Sequence, residues 1–86
     1  MRIIGQDKQS DIPYDNTALS IHDTKENTYR IDAFCGYCYT VVGVYKTLDD
    51  AKAVLWKIAE SNRENKPYFE IPQPDEEIAY PYREEK

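Results

Sequence analysis

Between Thr47 and Asn62 the chain carries its one helical pattern, and that pattern constrains what the rest can build. Thr47 is a good N-cap, and Asp49 and Asp50 fall in the first turn, where the helix macrodipole favours negative charge. Leu48, Ala51, Leu55, Ile58 and Ala59 form one apolar stripe. The spacing predicts a helix from about Leu48 to about Asn62. Trp56 falls at the border of the stripe, on the same flank as Lys52 and Arg63, where a tryptophan most often packs at a core rim.

The residues before the helix read as strands. Arg2 to Gln6 is a short first strand, and Asp7 to Asp11 the polar turn after it. Pro13 cannot donate to a ladder, so Ile12-Pro13-Tyr14 is expected at a sheet edge or at the start of a strand. Thr17 to His22 alternates, with Leu19 and Ile21 on one face and Ser20 and His22 on the other. Tyr29 to Ala33 alternates again, with Tyr29, Ile31 and Ala33 inward. Tyr39 to Tyr45 completes the sheet, with Val42 and Val44 expected in the core and Gly43 marking a bulge or a close backbone approach. Pro67 ends the helical region, and Tyr68 to Ile71 adds a short strand.

These elements define an α+β fold: a short antiparallel sheet of four or five strands packed on one amphipathic helix. Residues 1–72 form the domain. From Pro72 onward prolines and carboxylates dominate, so 73–86 is expected to be an acidic, Pro-rich tail, with Tyr80-Pro81-Tyr82 as its candidate docking segment.

Eighty-six residues are near the lower limit for a single core, and the eight tyrosines supply area while requiring partners for their hydroxyls. Some are expected at a surface, and self-association into a homo-oligomer is the default expectation. The balance of 11 basic against 16 acidic side chains, net −5, argues against binding a nucleic-acid polymer. Met1-Arg2-Ile3-Ile4 runs straight into polar sequence, and no apolar run approaches a membrane span, so a cytoplasmic location without membrane contact is expected.

Cys35-Gly36-Tyr37-Cys38 is the one motif that invites a catalytic reading. Thiol–disulfide oxidoreductases place the first cysteine at a helix N-terminus. Here Tyr-Thr-Val-Val-Gly-Val-Tyr follows, a strand, so the cysteines are expected to flank a hairpin tip. As zinc ligands they would be half a site, needing His22 and a carboxylate, or a second chain. The expectation is two reduced cysteines, no metal and no cofactor. His22 reads as a strand-surface residue, because no motif sets a nucleophile beside it. No complete catalytic constellation is present, and the chain is expected not to be an enzyme.

What remains is binding chemistry. With Ile31 inward, Arg30 and Asp32 face away, and Tyr37 and Tyr39 adjoin the same hairpin, so one surface offers a cation beside two aromatic faces. Arg63 and Trp56 make a second such pair on the helix. Arg30, Tyr37, Tyr39, Trp56 and Arg63 are therefore the candidate ligand-binding residues.

Three segments carry a family resemblance: the opening Met-Arg-Ile-Ile-Gly-Gln-Asp with Asp11-Ile12-Pro13-Tyr14-Asp15, the stretch from Val44 to Leu55, and Tyr68-Phe69-Glu70-Ile71-Pro72. Together they resemble small phage and prophage proteins of Gram-positive bacteria, whose pattern opens near M-R-I-I-S-Q-D, passes through Y-x-T-x-x-x-A-x-x-V-L and closes near F-x-M-P-E. Gly5 stands where a serine is usual and Ile71 where a methionine is usual, and the segment around Cys35 and Cys38 lies outside the matched pattern. The resemblance implies a phage accessory protein without catalytic residues, similar to the Thoeris anti-defence sponges that sequester a cyclic ADP-ribose signal. The implied partner is a small nucleotide signal molecule, or alternatively a host defence protein occluded by an acidic surface.

Overall fold

The computed structural model describes residues 1–36 and 38–76. The elements run β1 (Arg2–Ile4), β2 (Asp11–Pro13), β3 (Ala18–Asp23), β4 (Tyr29–Cys35), β5 (Cys38–Tyr45), α1 (Leu48–Arg63) and β6 (Tyr68–Glu70). The class is α+β, as the sequence predicts. The strands, however, divide into two three-stranded sheets, ordered β2-β1-β6 and β3-β4-β5. The second is antiparallel throughout, while in the first β1 pairs antiparallel with β2 and parallel with β6. The helix makes the parallel pairing possible, because it carries the chain back across the fold before β6. Pro13 ends β2, an edge strand, where its missing N–H costs no ladder bond.

Helix α1 begins where its cap chemistry directs, with the Thr47 hydroxyl accepting from the Asp50 N–H at 3.0 Å. Its buried residues are Ala51, Ala53, Val54 and Ile58. The core-facing stripe is thus centred on Val54, rotated from the predicted one, and Leu48 is exposed while Leu55 is half-buried. These helical residues pack with Ile3, Ile31, Ala33, Val42, Tyr45 and Ile71 into one core shared by both sheets.

Strand β5 departs from simple alternation. Its register with β4 pairs Ile31 with Gly43 and then Asp32 with Val41, so Val42 is an extra residue in a bulge. The bulge changes the phase of the strand. Val42 is buried as expected, but Val44 sits opposite Arg30 on the face turned away from the core, and Tyr45 takes the inward position opposite Tyr29. Gly43 is the close approach that its residue type signals. A Cβ there would stand 2.9 Å from Ile71 Cγ2 and 3.1 Å from Tyr45 Cε2.

Gln6 joins the two sheets. Its backbone N–H donates to the bulge carbonyl of Val42 at 2.8 Å. Its side-chain amide accepts from Val44 N–H at 3.0 Å and donates to Val44 C=O at 3.3 Å, acting as a surrogate strand partner along the free edge of β5. The same Nε2 donates to Pro72 C=O at 2.9 Å, which also accepts from the buried Tyr45 hydroxyl at 2.6 Å. Burial pushes the Tyr45 phenol well above its ordinary value, partly offset by the Gln6 amide. Gln73 Nε2 returns a bond to Gln6 C=O at 2.7 Å, so the chain stays attached for one residue beyond the predicted domain boundary. Residues 77–86, including Tyr80-Pro81-Tyr82, lie outside the described residues.

Candidate functional site

The phase of β3, β4 and β5 sends one set of side chains toward α1 and another to the opposite face. Cross-strand pairing places Ser20 opposite Asp32, His22 opposite Arg30, Ala18 opposite Phe34 and Tyr39 opposite Phe34. Directly opposed residues share a face. Arg30, Asp32, Phe34, Ser20, His22, Tyr39, Val41 and Val44 therefore line the outer surface of this sheet. Phe34, Tyr39 and Val41 remain 53, 60 and 42% exposed.

Beside these apolar groups lies a polar cluster built around Asp32, the one buried charged residue among those described. Arg30 Nε donates to both of its oxygens, at 2.9 and 3.2 Å. His22 Nε2 lies 3.6 Å from Asp32 Oδ2 and 3.0 Å from Ser20 Oγ. The Asp32 hydrogen bond, and then its charge, raise the Arg30 guanidinium above its ordinary value against a smaller effect of burial; Tyr39 on the same face adds to the rise. Serine, histidine and aspartate are the residue types of a hydrolytic triad, but Ser20 and Asp32 approach the same ring nitrogen. A relay needs the two nitrogens of the imidazole to serve different partners. The cluster orients Arg30 and compensates the buried carboxylate.

The five predicted site residues divide accordingly. Arg30 and Tyr39 share the outer face. Arg30 is half-buried and ion-paired, where the sequence alone reads it as a surface cation. Tyr37 lies outside the described residues. Trp56, 54% exposed, and Arg63 sit on α1, which packs against the inner face, so the sheet separates them from Arg30 within one chain. Phe34 belongs to the same outer face and is not among those five. Its signal was available, because alternation through Arg30 and Asp32 leads to position 34.

Cys35 and Cys38 flank the β4–β5 tip as register partners, and both are free thiols. His22 pairs with Arg30, five residues along the strand from Cys35, or roughly 17 Å at the rise of a β-strand. One chain therefore does not gather them. Among the described residues no cluster of three or more His, Cys, Asp or Glu side chains is disposed to hold a metal ion. No helix among those residues is long and apolar enough to cross a membrane.

An open groove of ≈ 260 Å³ lies elsewhere, its lining including Lys8, Lys57, Phe69, Glu70, Ile71 and Glu76. It is smaller than the roughly 300–1,000 Å³ of typical small-molecule sites. Lys8 Nζ is already paired with Glu70 at 3.3 Å. The outer sheet face is the stronger candidate.

No family model, no curated protein and no solved structure matches the chain.

Proposed function

We propose that this protein acts by binding rather than catalysis, and that the outer face of β3-β4-β5 is its binding surface. The observation that carries the reading is the exposure of Phe34, Tyr39 and Val41 on a sheet face where the Asp32 cluster holds a guanidinium. Exposed aromatic rings on a sheet are stacking platforms for bases, and Arg30, held by Asp32 through Nε, has its remaining guanidinium N–H groups to donate to a phosphate. The ligand class that fits is a nucleotide signal of the cyclic ADP-ribose or cyclic oligonucleotide type, sequestered without cleavage. This agrees with the phage accessory role that the sequence resemblance implies. Self-association belongs to the same reading: β3 is an edge strand, and its inward residues Leu19 and Ile21 are only half-buried.

A second reading has its own support. The outer surface is a sheet face rather than an enclosed cavity, and a surface of that shape with exposed apolar groups suits a protein partner, here a host defence effector. Thermal-shift and calorimetric screening of the purified protein against cyclic ADP-ribose isomers and cyclic oligonucleotides separates the two. The nucleotide reading expects saturable binding to at least one of them. Silence across the panel, with a host protein co-purifying stoichiometrically and lost on Tyr39→Ala, transfers the assignment to the protein partner.

A further inference from the structure

Cys35 and Cys38 close the β4–β5 ladder as direct cross-strand partners, with Gly36 at a φ of 65° starting the turn between them. Directly opposed residues of an antiparallel pair have Cα atoms about 4.5–5.5 Å apart, and a disulfide accepts Cα separations of about 4.4–6.8 Å. Side chains of opposed residues also leave the sheet on the same face. Cys38 is exposed and Cys35 half-buried, so a small reagent reaches at least one sulfur directly. The strand that follows removes the helix N-terminus on which a dedicated thiol oxidoreductase depends, so the pair is suited to be modified rather than to process other proteins.

We propose that Cys35 and Cys38 form a reversible intrachain disulfide across the hairpin tip when the protein meets an oxidised low-molecular-weight thiol such as glutathione disulfide. The Cys38 thiolate attacks one sulfur of glutathione disulfide, forming a mixed disulfide and expelling one glutathione thiolate. The Cys35 thiolate then attacks the Cys38 sulfur, closing the protein disulfide and expelling the second glutathione. The protein gives up two electrons and two protons, and glutathione disulfide becomes two glutathiones. The next rung of the ladder is Phe34 opposite Tyr39, so the covalent link fixes the end of the exposed aromatic surface. The strand register alone sets the two cysteines opposite one another, whatever that surface binds.

The test treats the whole native protein with glutathione disulfide, quenches with an alkylating agent, and reads intact mass and melting temperature. The expected product is a monomer lighter by two hydrogens, carrying neither glutathione nor alkyl groups. It melts above the reduced protein and returns to the original melting temperature with dithiothreitol. Cys35→Ser and Cys38→Ser are each expected to retain one glutathione, because neither can complete the second step. Two glutathiones on the native protein, or intermolecular disulfide dimers, would overturn the proposal. So would an intrachain product that melts below the reduced form, because a bond that strains the ladder is not one that the β4–β5 register accommodates.

Discussion

The two faces of the β3-β4-β5 sheet are made from the same three strands and treated in opposite ways. On the inner face Ile31, Ala33 and Tyr45 are buried against Ala51, Val54 and Ile58, and Gly43 is cut back to hydrogen so that Ile71 can approach. On the outer face Phe34 and Tyr39 stand open beside a carboxylate that is buried and fully engaged. Among the described residues no buried side-chain nitrogen or oxygen lacks a partner. This sheet thus satisfies its buried polar group and leaves apolar ones uncovered on its outer face. Phe34 and Tyr39 are direct cross-strand partners, and their joint exposure beside Arg30 is the observation on which the binding proposal rests.

The contrast breaks most severely if the junction that holds the inner face is removed. Gln6→Ala deletes three side-chain hydrogen bonds, to Val44 N–H, Val44 C=O and Pro72 C=O, and is expected to cost about 3 kcal/mol in urea unfolding. Gln6→Glu is expected to be comparably damaging despite its shape, because a carboxylate cannot donate to the two carbonyls. A loss below about 1 kcal/mol for Gln6→Ala would show that the two sheets are joined by packing alone.

A smaller effect tests the burial of Tyr45. The folded chain holds the phenolic proton more tightly than the unfolded chain does. That contribution is complete below the unfolded value of about 10, and above it stability declines by about 1.4 kcal/mol per pH unit. Tyr45→Phe is expected to cost about 1 kcal/mol at neutral pH, through the lost bond to Pro72, and to remove this part of the alkaline decline. Unfolding curves of both proteins from about pH 9 to about pH 11 check the slope.

The outer face responds more weakly, and unevenly. Arg30→Ala strips the buried Asp32 of its closest partner and is expected to lower the melting temperature, whereas Arg63→Ala, exposed in the last turn of the helix, leaves it unchanged. Equal melting temperatures for the two variants would mean that His22 and solvent compensate Asp32 without Arg30.

Much of this arrangement was legible because it is local. The Thr47 cap, the alternation that turns Leu19 and Ile21 inward, and the edge position of Pro13 each follow from a few adjacent residues. What escaped the sequence depends on distant contacts. The bulge at Val42 reverses the phase of β5 and exchanges Val44 for Tyr45 in the core, and its carbonyl is met by Gln6 from the turn between β1 and β2. The helix turns Val54 inward because the core it meets is shared by both sheets, which periodicity within the helix cannot report. On the site, alternation placed Arg30 and Asp32 outward together, but not the burial of Asp32 that fixes the arginine.

The most direct test of the binding face is a map of backbone amide shifts on titration with the nucleotide that binds in the calorimetric screen. The perturbed amides are expected to gather at residues 20–22, 30–34 and 39–41, with little change along residues 52–63, and Phe34→Ala with Tyr39→Ala is expected to abolish the shifts while changing stability by no more than about 0.5 kcal/mol per site. Shifts centred instead on Lys8, Lys57 and Phe69, or on Trp56 and Arg63, would contradict it.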